Sequence, residues 1–96
     1  MKLLTQEIAE TLPPFYSQDG LGGEAVVHLK FFDPMSNWTW YVTEYCAKTQ
    51  EFFGLVVGFE TEYGYFRLKD LQSVGRIERD LYFTPKKVKE LEQINV

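Results

Sequence analysis

The run Phe52-Phe53-Gly54-Leu55-Val56-Val57-Gly58-Phe59 constrains the fold more than any other stretch, because no side chain in it is charged or polar. Read with a period of two, Phe53, Leu55, Val57 and Phe59 share one face, and Phe52, Gly54, Val56 and Gly58 share the other. A strand apolar on both faces belongs in the interior of a sheet, with cover on each side. The two glycines and the Val/Phe content favour strand over buried helix. The glycines also leave one face bare, so large groups must lie over it. Neighbouring aromatic rings are the simpler filling, and a ligand is the other.

The remaining chain supplies that cover. Thr5 is placed to cap a helix from Gln6 to about Leu12, with Leu4, Ile8 and Leu12 as its apolar stripe and Pro13-Pro14 as its stop. Ser17 to Gly23 reads as a mobile loop. Glu24 to Phe32 reads as one strand, with Ala25, Val27, Leu29 and Phe31 on a common face, and Asp33 to Ser36 as a turn. Asn37 to Tyr45 reads as a second strand, with Trp38, Trp40, Val42 and Glu44 together and Thr39, Tyr41, Thr43 and Tyr45 opposite. Glu60 to Gly64 reads as a tight connection before a short strand from Tyr65 to Leu68. Lys69 to Val74 then reads as helical turns, ended by Gly75 in the left-handed position. Leu81 to Phe83 reads as extended. Thr84-Pro85 signals a last helix from Pro85 to about Ile94. The predicted fold is α+β: one domain over residues 1–96, an antiparallel meander of about four strands with N- and C-terminal helices packed on it.

Composition limits the function classes. A chain of 96 residues has room for a single modest core, and 17% aromatic residues serve either that core or a binding surface. Net charge is −4, which disfavours duplex DNA as a partner but suits competition for the basic groove of another protein. Cys46 is the only cysteine and His28 the only histidine, so neither an internal disulfide nor a Cys/His zinc site is expected. No apolar run resembles a signal-peptide core or a membrane span, and a cytoplasmic protein without membrane contact is expected.

Several motifs carry a family resemblance: Phe31-Phe32, Ser36-Asn37-Trp38-Thr39-Trp40-Tyr41, Thr43-Glu44-Tyr45, Phe52-Phe53-Gly54-Leu55-Val56, Gly58-Phe59-Glu60, Gly64-Tyr65-Phe66 and Ile77-Glu78-Arg79-Asp80-Leu81-Tyr82-Phe83. With Leu3-Leu4-Thr5 and Leu12-Pro13-Pro14, the chain resembles a bacterial family known as Domain of Unknown Function 2958. The stretch between Leu71 and Ile77 is shorter than is common in that family. The resemblance implies no particular chemistry. It implies an accessory role on plasmids, conjugative elements or phages, such as replication support, transfer or counter-defence.

Two groups of residues are candidate sites. Asn37, Trp38, Trp40, Tyr41 and Glu44 combine aromatic rings with hydrogen-bonding groups, a set suited to stacking a base and reading its edge. Core packing of both tryptophans over Gly54 and Gly58 is the favoured reading against it. Glu78, Arg79 and Asp80 form the densest charged cluster, with two carboxylates on one side of an extended segment. Acid–base or metal chemistry there competes with the simpler role of an ion-paired connector. A His28–Cys46 nucleophilic pair lacks context, and Lys86, Lys87 and Lys89 read as a solvated face. No standard catalytic motif is present. The expectation is therefore a binding module without cofactor, metal or catalytic residues, acting by occupying a macromolecular partner or a small ligand, with a protein or a small nucleotide foremost. The alternative is a protein that sequesters or hydrolyses a signalling nucleotide through the aromatic surface and Glu78/Asp80. Single-strand nucleic-acid binding ranks third, given the acidic balance. An open meander also leaves two edges through which a homodimer could form.

Overall fold

A computed structural model describes residues 1–91. Its centre is a five-stranded antiparallel sheet. The strands are β2 (Leu29–Phe32), β3 (Thr39–Cys46), β4 (Glu51–Val57), β5 (Thr61–Arg67) and β6 (Glu78–Arg79), in spatial order β5-β4-β3-β2-β6. The uncharged run is β4, interior as expected, while β3 takes the middle position. A two-stranded ribbon joins β1 (Val26–Val27) to β7 (Lys86–Lys87). The helices are α1 (Gln6–Ala9) and α2 (Leu68–Val74). The α+β class and the antiparallel pairing agree with the sequence reading.

Each face of the sheet has its own core. On the first face, Phe31, Val42, Tyr45 and Phe52 lie beneath Leu3, Leu4, Leu68, Leu71 and Ile77, with Ile8 and Leu12 partly covering them. Phe52 is the hub, its ring 5.4 Å from Phe31, 4.9 Å from Tyr45 and 5.4 Å from Phe66. On the second face, Val27, Tyr41 and Leu55 lie beneath Phe83, Val88 and Leu91. Apolar cover on both sides is what the composition of β4 requires.

Local signals explain the element ends. Thr5 Oγ1 accepts from the Ile8 N–H at 3.2 Å, capping α1 as predicted. That helix is a single turn, shorter than the predicted run to Leu12. Gly75 closes α2 at φ 82°, in the left-handed position. Asp33 makes the predicted turn, its Oδ1 accepting from the Met35 N–H.

Other expectations are corrected. The strand predicted from Glu24 to Phe32 breaks at His28, whose N–H donates to the Val42 carbonyl. Val27 therefore enters the second core while Leu29 and Phe31 enter the first. The connection predicted at Glu60–Gly64 is strand from Thr61 onward, because the chain already turns at Gly58, whose N–H donates to the Glu60 carbonyl. Leu81 to Phe83 is a turn held by Asp80, whose Oδ1 accepts from the Tyr82 N–H. The predicted last helix does not form within the described residues. After Pro85 the chain instead pairs with Val26–Val27 and makes one 3-10 turn, Val88–Glu90. Long-range pairing there overrides a local capping signal. The last part of that predicted helix, 92–94, lies outside the described residues.

Two ion clusters fasten the covers, and they predict an acid response. Arg76 donates to both oxygens of Asp33 at 2.9 Å each. That guanidinium holds the Asp33 carboxyl down at about 2. Lys89 and Lys87 hold Glu24, on the loop before β1, at about 2 as well. A carboxyl with a depressed folded-state pKa contributes stability above its ordinary value, and that contribution is lost as pH falls through the depressed one. Starting from 4.5 for Glu24 and 3.8 for Asp33, the melting temperature should decline between about pH 4.5 and about pH 2. Arg76→Met should lower it at neutral pH and flatten the Asp33 part of the decline. Parallel wild-type and variant curves in pH-resolved melts would count against this assignment.

Candidate functional site

The tryptophans sit at the turn end of the sheet, on the first face. Across that face the cross-strand neighbours run Arg79, Phe31, Trp40, Val56 and Glu62. One step further out, Trp38 lies over Gly58, where a Cβ would come within 2.5 Å of the indole ring. Packing of tryptophan on glycine is thus found at Gly58. It is not found at Gly54, where a Cβ would instead overlap the Tyr41 carbonyl oxygen.

Trp38 stacks on Trp40 with ring centroids 6.0 Å apart, and Phe59 meets Trp38 edge-on at 5.6 Å. The ladder leads from the core to solvent: Trp40 packs against the first core, Trp38 is half-buried, and Phe59 is 96% exposed. Phe59 was read from sequence as part of the strand. It lies beyond the end of β4, on the turn, which is why no sheet neighbour covers it. The adjacent Gly58 was the signal that could have revealed a turn there. Exposed Asn37 flanks the ledge, and the exposed carboxylates Glu60 and Glu62 rim it.

Tyr41 lies on the opposite face by ordinary alternation, as the strand pattern predicts, and Glu44 lies there too, which corrects its predicted place beside the tryptophans. The cause is a β-bulge. Val42 pairs with Gly54 and Glu44 with Phe53, leaving Thr43 as the extra residue. Thr43 Oγ1 donates to the Phe53 carbonyl at 3.0 Å and steadies the bulge. One extra residue reverses the alternation, so Glu44 points toward the second face and Tyr45 into the first core.

There Glu44 is 3% exposed, and its two oxygens accept from the Tyr16 and Gln18 N–H groups at 2.8 Å each. Gln18 completes the stitch. Its amide donates to the Val26 and Thr43 carbonyls and accepts from the Val26 N–H. The loop read as mobile is tied to the sheet at these points. Under it lies a cleft of about 260 Å³ lined by Gln18, Asp19, Gly20, Gly22, Phe53 and Tyr63, among others. Of the polar side chains facing it, Gln18, Thr43 and Glu44 are already partnered within the fold.

Arg79 and Asp80 are held in structural contacts. Arg79 Nη1 donates to the Lys2 and Leu3 carbonyls at 2.7 and 2.8 Å, clamping the N-terminal segment to β6. Asp80 pairs with Lys30 at 3.6 Å, and Lys30 lies over the Tyr41 ring. Burial, aided by the Asp80 charge, pushes the Tyr41 phenol up. Glu78 is exposed. The charged cluster and the tryptophan ledge therefore do not converge on one site. His28 donates its N–H to the Val42 carbonyl, and Cys46 lies four residues beyond Val42 along β3, ~13 Å at strand spacing. Lys87 and Lys89 are paired with Glu24, and Lys86 lies over Phe83. Among the described residues, no three His, Cys, Asp or Glu converge as ion ligands, and no helix is long and apolar enough to cross a membrane.

These features define a class: an open antiparallel sheet, cored on both faces, with an aromatic ledge at one end. The chain belongs to the protein family of unknown function DUF2958, whose family model matches residues 3–91. No curated protein and no solved structure matches it.

Proposed function

We propose that this protein is a non-enzymatic binding module that seats the ledge of Trp38, Trp40 and Phe59 on a basic surface of a partner protein. The observation that carries this reading is Phe59, a large ring 96% exposed yet held edge-on by a tryptophan stack that runs into the core. Rigid aromatic groups that project from a packed base are typical anchors of protein interfaces. The Glu60 and Glu62 rim and the net charge of −4 favour a basic partner and oppose nucleic acid. A partner's nucleic-acid groove has the required charge. Blocking it would suit the cytoplasmic accessory role on a mobile element that the family resemblance implies, counter-defence included. Nucleotide sequestration has less support, because Asp80 is ion-paired on the face away from the tryptophans.

Affinity capture from bacterial lysate, comparing wild type with Phe59→Ala, tests the proposal. A basic protein should be retained by wild type, eluted by salt, and bound at least roughly thirtyfold more weakly by the variant, as befits an anchor of about 2 kcal/mol. Capture indifferent to Phe59→Ala would sink it. So would stabilisation by a nucleotide in a thermal-shift screen, which at a hundredfold excess over Kd amounts to ~2.7 kcal/mol.

A further inference from the structure

We infer that β5 is a self-association edge on which a second copy of this chain adds its own β5, antiparallel, about a two-fold axis at Gly64. Among the described residues β5 pairs only with β4, and it does so in unbroken register over all seven residues. Proteins usually blunt such an edge with proline, a bulge or a very short strand. The opposite edge conforms, since β6 has two residues and is clamped by the N-terminal segment. β5 carries none of these three devices, and its edge charges, Glu62 and Arg67, lie toward its two ends and are of opposite sign.

Three observations select a second copy as the occupant. The first is Gly64. A Cβ there would meet nothing within 4 Å, and its φ lies outside the left-handed range. Neither crowding within the chain nor turn geometry requires glycine at a position where glycine weakens a strand. A strand glycine also marks close approach by another group, and Gly64 leaves open space on the first face for side chains of an added strand.

The second is the sequence around it. Tyr63-Gly64-Tyr65 is symmetric, and antiparallel pairing about Gly64 sets each Tyr63 opposite Tyr65 of the second copy. The rings are already held, Tyr63 stacked on Phe53 at 5.8 Å and Tyr65 packed on Phe53 and Phe15 at 4.9 and 5.4 Å, yet they remain 47% and 55% exposed. Cross-strand aromatic pairs of this kind stabilise sheets.

The third is charge. Glu62 lies near the start of the strand, just after Glu60 on the turn, and Arg67 ends it, just before Lys69 in α2; Arg67 also pairs with Glu51 of β4 at 3.9 Å. Antiparallel pairing brings the acidic end of each copy beside the basic end of its mate. The match is isologous, as a two-fold interface requires. It uses the strand edge and the second-face tyrosines, and shares with the Phe59 ledge only the rim residues Glu60 and Glu62.

Sedimentation velocity over a concentration series tests this. Mass should rise from 11.3 kDa toward twice that value. Gly64→Val should weaken self-association more than about tenfold while leaving the monomer's melting temperature equal or higher. Arg67→Glu alone and Glu60→Arg/Glu62→Arg alone should each weaken self-association, because the strand ends that meet then carry the same sign, and each variant's melting temperature checks that losing the Arg67–Glu51 pair has not unfolded it. An equimolar mixture of the two should recover dimer mass, which a folding defect would not produce. A monomer at every concentration overturns the proposal, as does a dimer unaffected by both Gly64→Val and Arg67→Glu. Phe59→Ala should leave the mass unchanged, so this test and the capture experiment fail independently.

Discussion

Gly54→Ala is expected to lower the melting temperature by roughly 12–24 °C, the equivalent of about 3 kcal/mol in a domain of this size. The reason lies in the bulge. With Thr43 unpaired, the backbone of β3 turns the Tyr41 carbonyl toward Gly54, and a Cβ there would overlap that oxygen. The obstacle is backbone in the middle strand of the sheet. It can move only by breaking ladder hydrogen bonds to β2 or β4. Gly58→Ala provides the contrast. Its obstacle is the Trp38 indole, on a half-buried side chain that can swing outward, so its cost should be smaller. Thermal melts of the two variants side by side decide the matter. Equal losses, or a Gly54→Ala protein within a few degrees of wild type, would mean that the close approach does not govern this position.

Glu44→Ala should have a comparable effect, a loss of about 3 kcal/mol. The substitution leaves the Tyr16 and Gln18 N–H groups without their acceptor in a partly buried setting, at about 1–3 kcal/mol for each unsatisfied donor. Glu44→Gln retains one acceptor oxygen but turns an NH2 toward the other N–H, and should fall between wild type and alanine. Amide exchange at residues 16 and 18 reports the local event directly. Because Gln18 stitches the same loop, Gln18→Ala should cost much less once Glu44 is already alanine than in wild type, a non-additivity expected of a shared network. Independent, additive losses would show that the two residues do not act as one anchor.

Much of the sheet is legible in residue order because its signals are local. Alternation along Phe52–Val57, the Thr5 cap and Gly75 each depend on neighbours a few positions away, and each is found as read. Features set by distant pairing are not legible. Nothing around Thr43 announces a bulge, since its warrant is Gly54 on the next strand, and the bulge decides which face receives Glu44. The polar start of β5 at Thr61-Glu62 resembles a loop because an edge strand needs no apolar face. Lys86-Lys87 follows a helix-start signal yet joins Val26–Val27. The candidate site divides the same way. Rings and glycines could be matched as types, but only the geometry shows that Trp38 covers Gly58, that Phe59 stands clear, and that Arg79 is occupied by the Lys2 and Leu3 carbonyls.

That clamp has a consequence for biosynthesis. Leu3 leaves the ribosome long before Arg79, and until Glu78–Arg79 emerges β2 has no partner on its outer side and the Lys2–Leu3 segment has no anchor. Lys86–Lys87, which strap the second face, follow later still. The nascent chain until then carries four hairpin-linked strands, with the second core uncovered and the first covered only by segments that lack their final clamp. It should complete its fold only once Leu91 has emerged, in a late step dominated by contacts between distant residues. Translation speed through the codons for residues 78–91, and chaperones waiting at the exit tunnel, should govern the yield of folded protein more than the strength of any one strand pair.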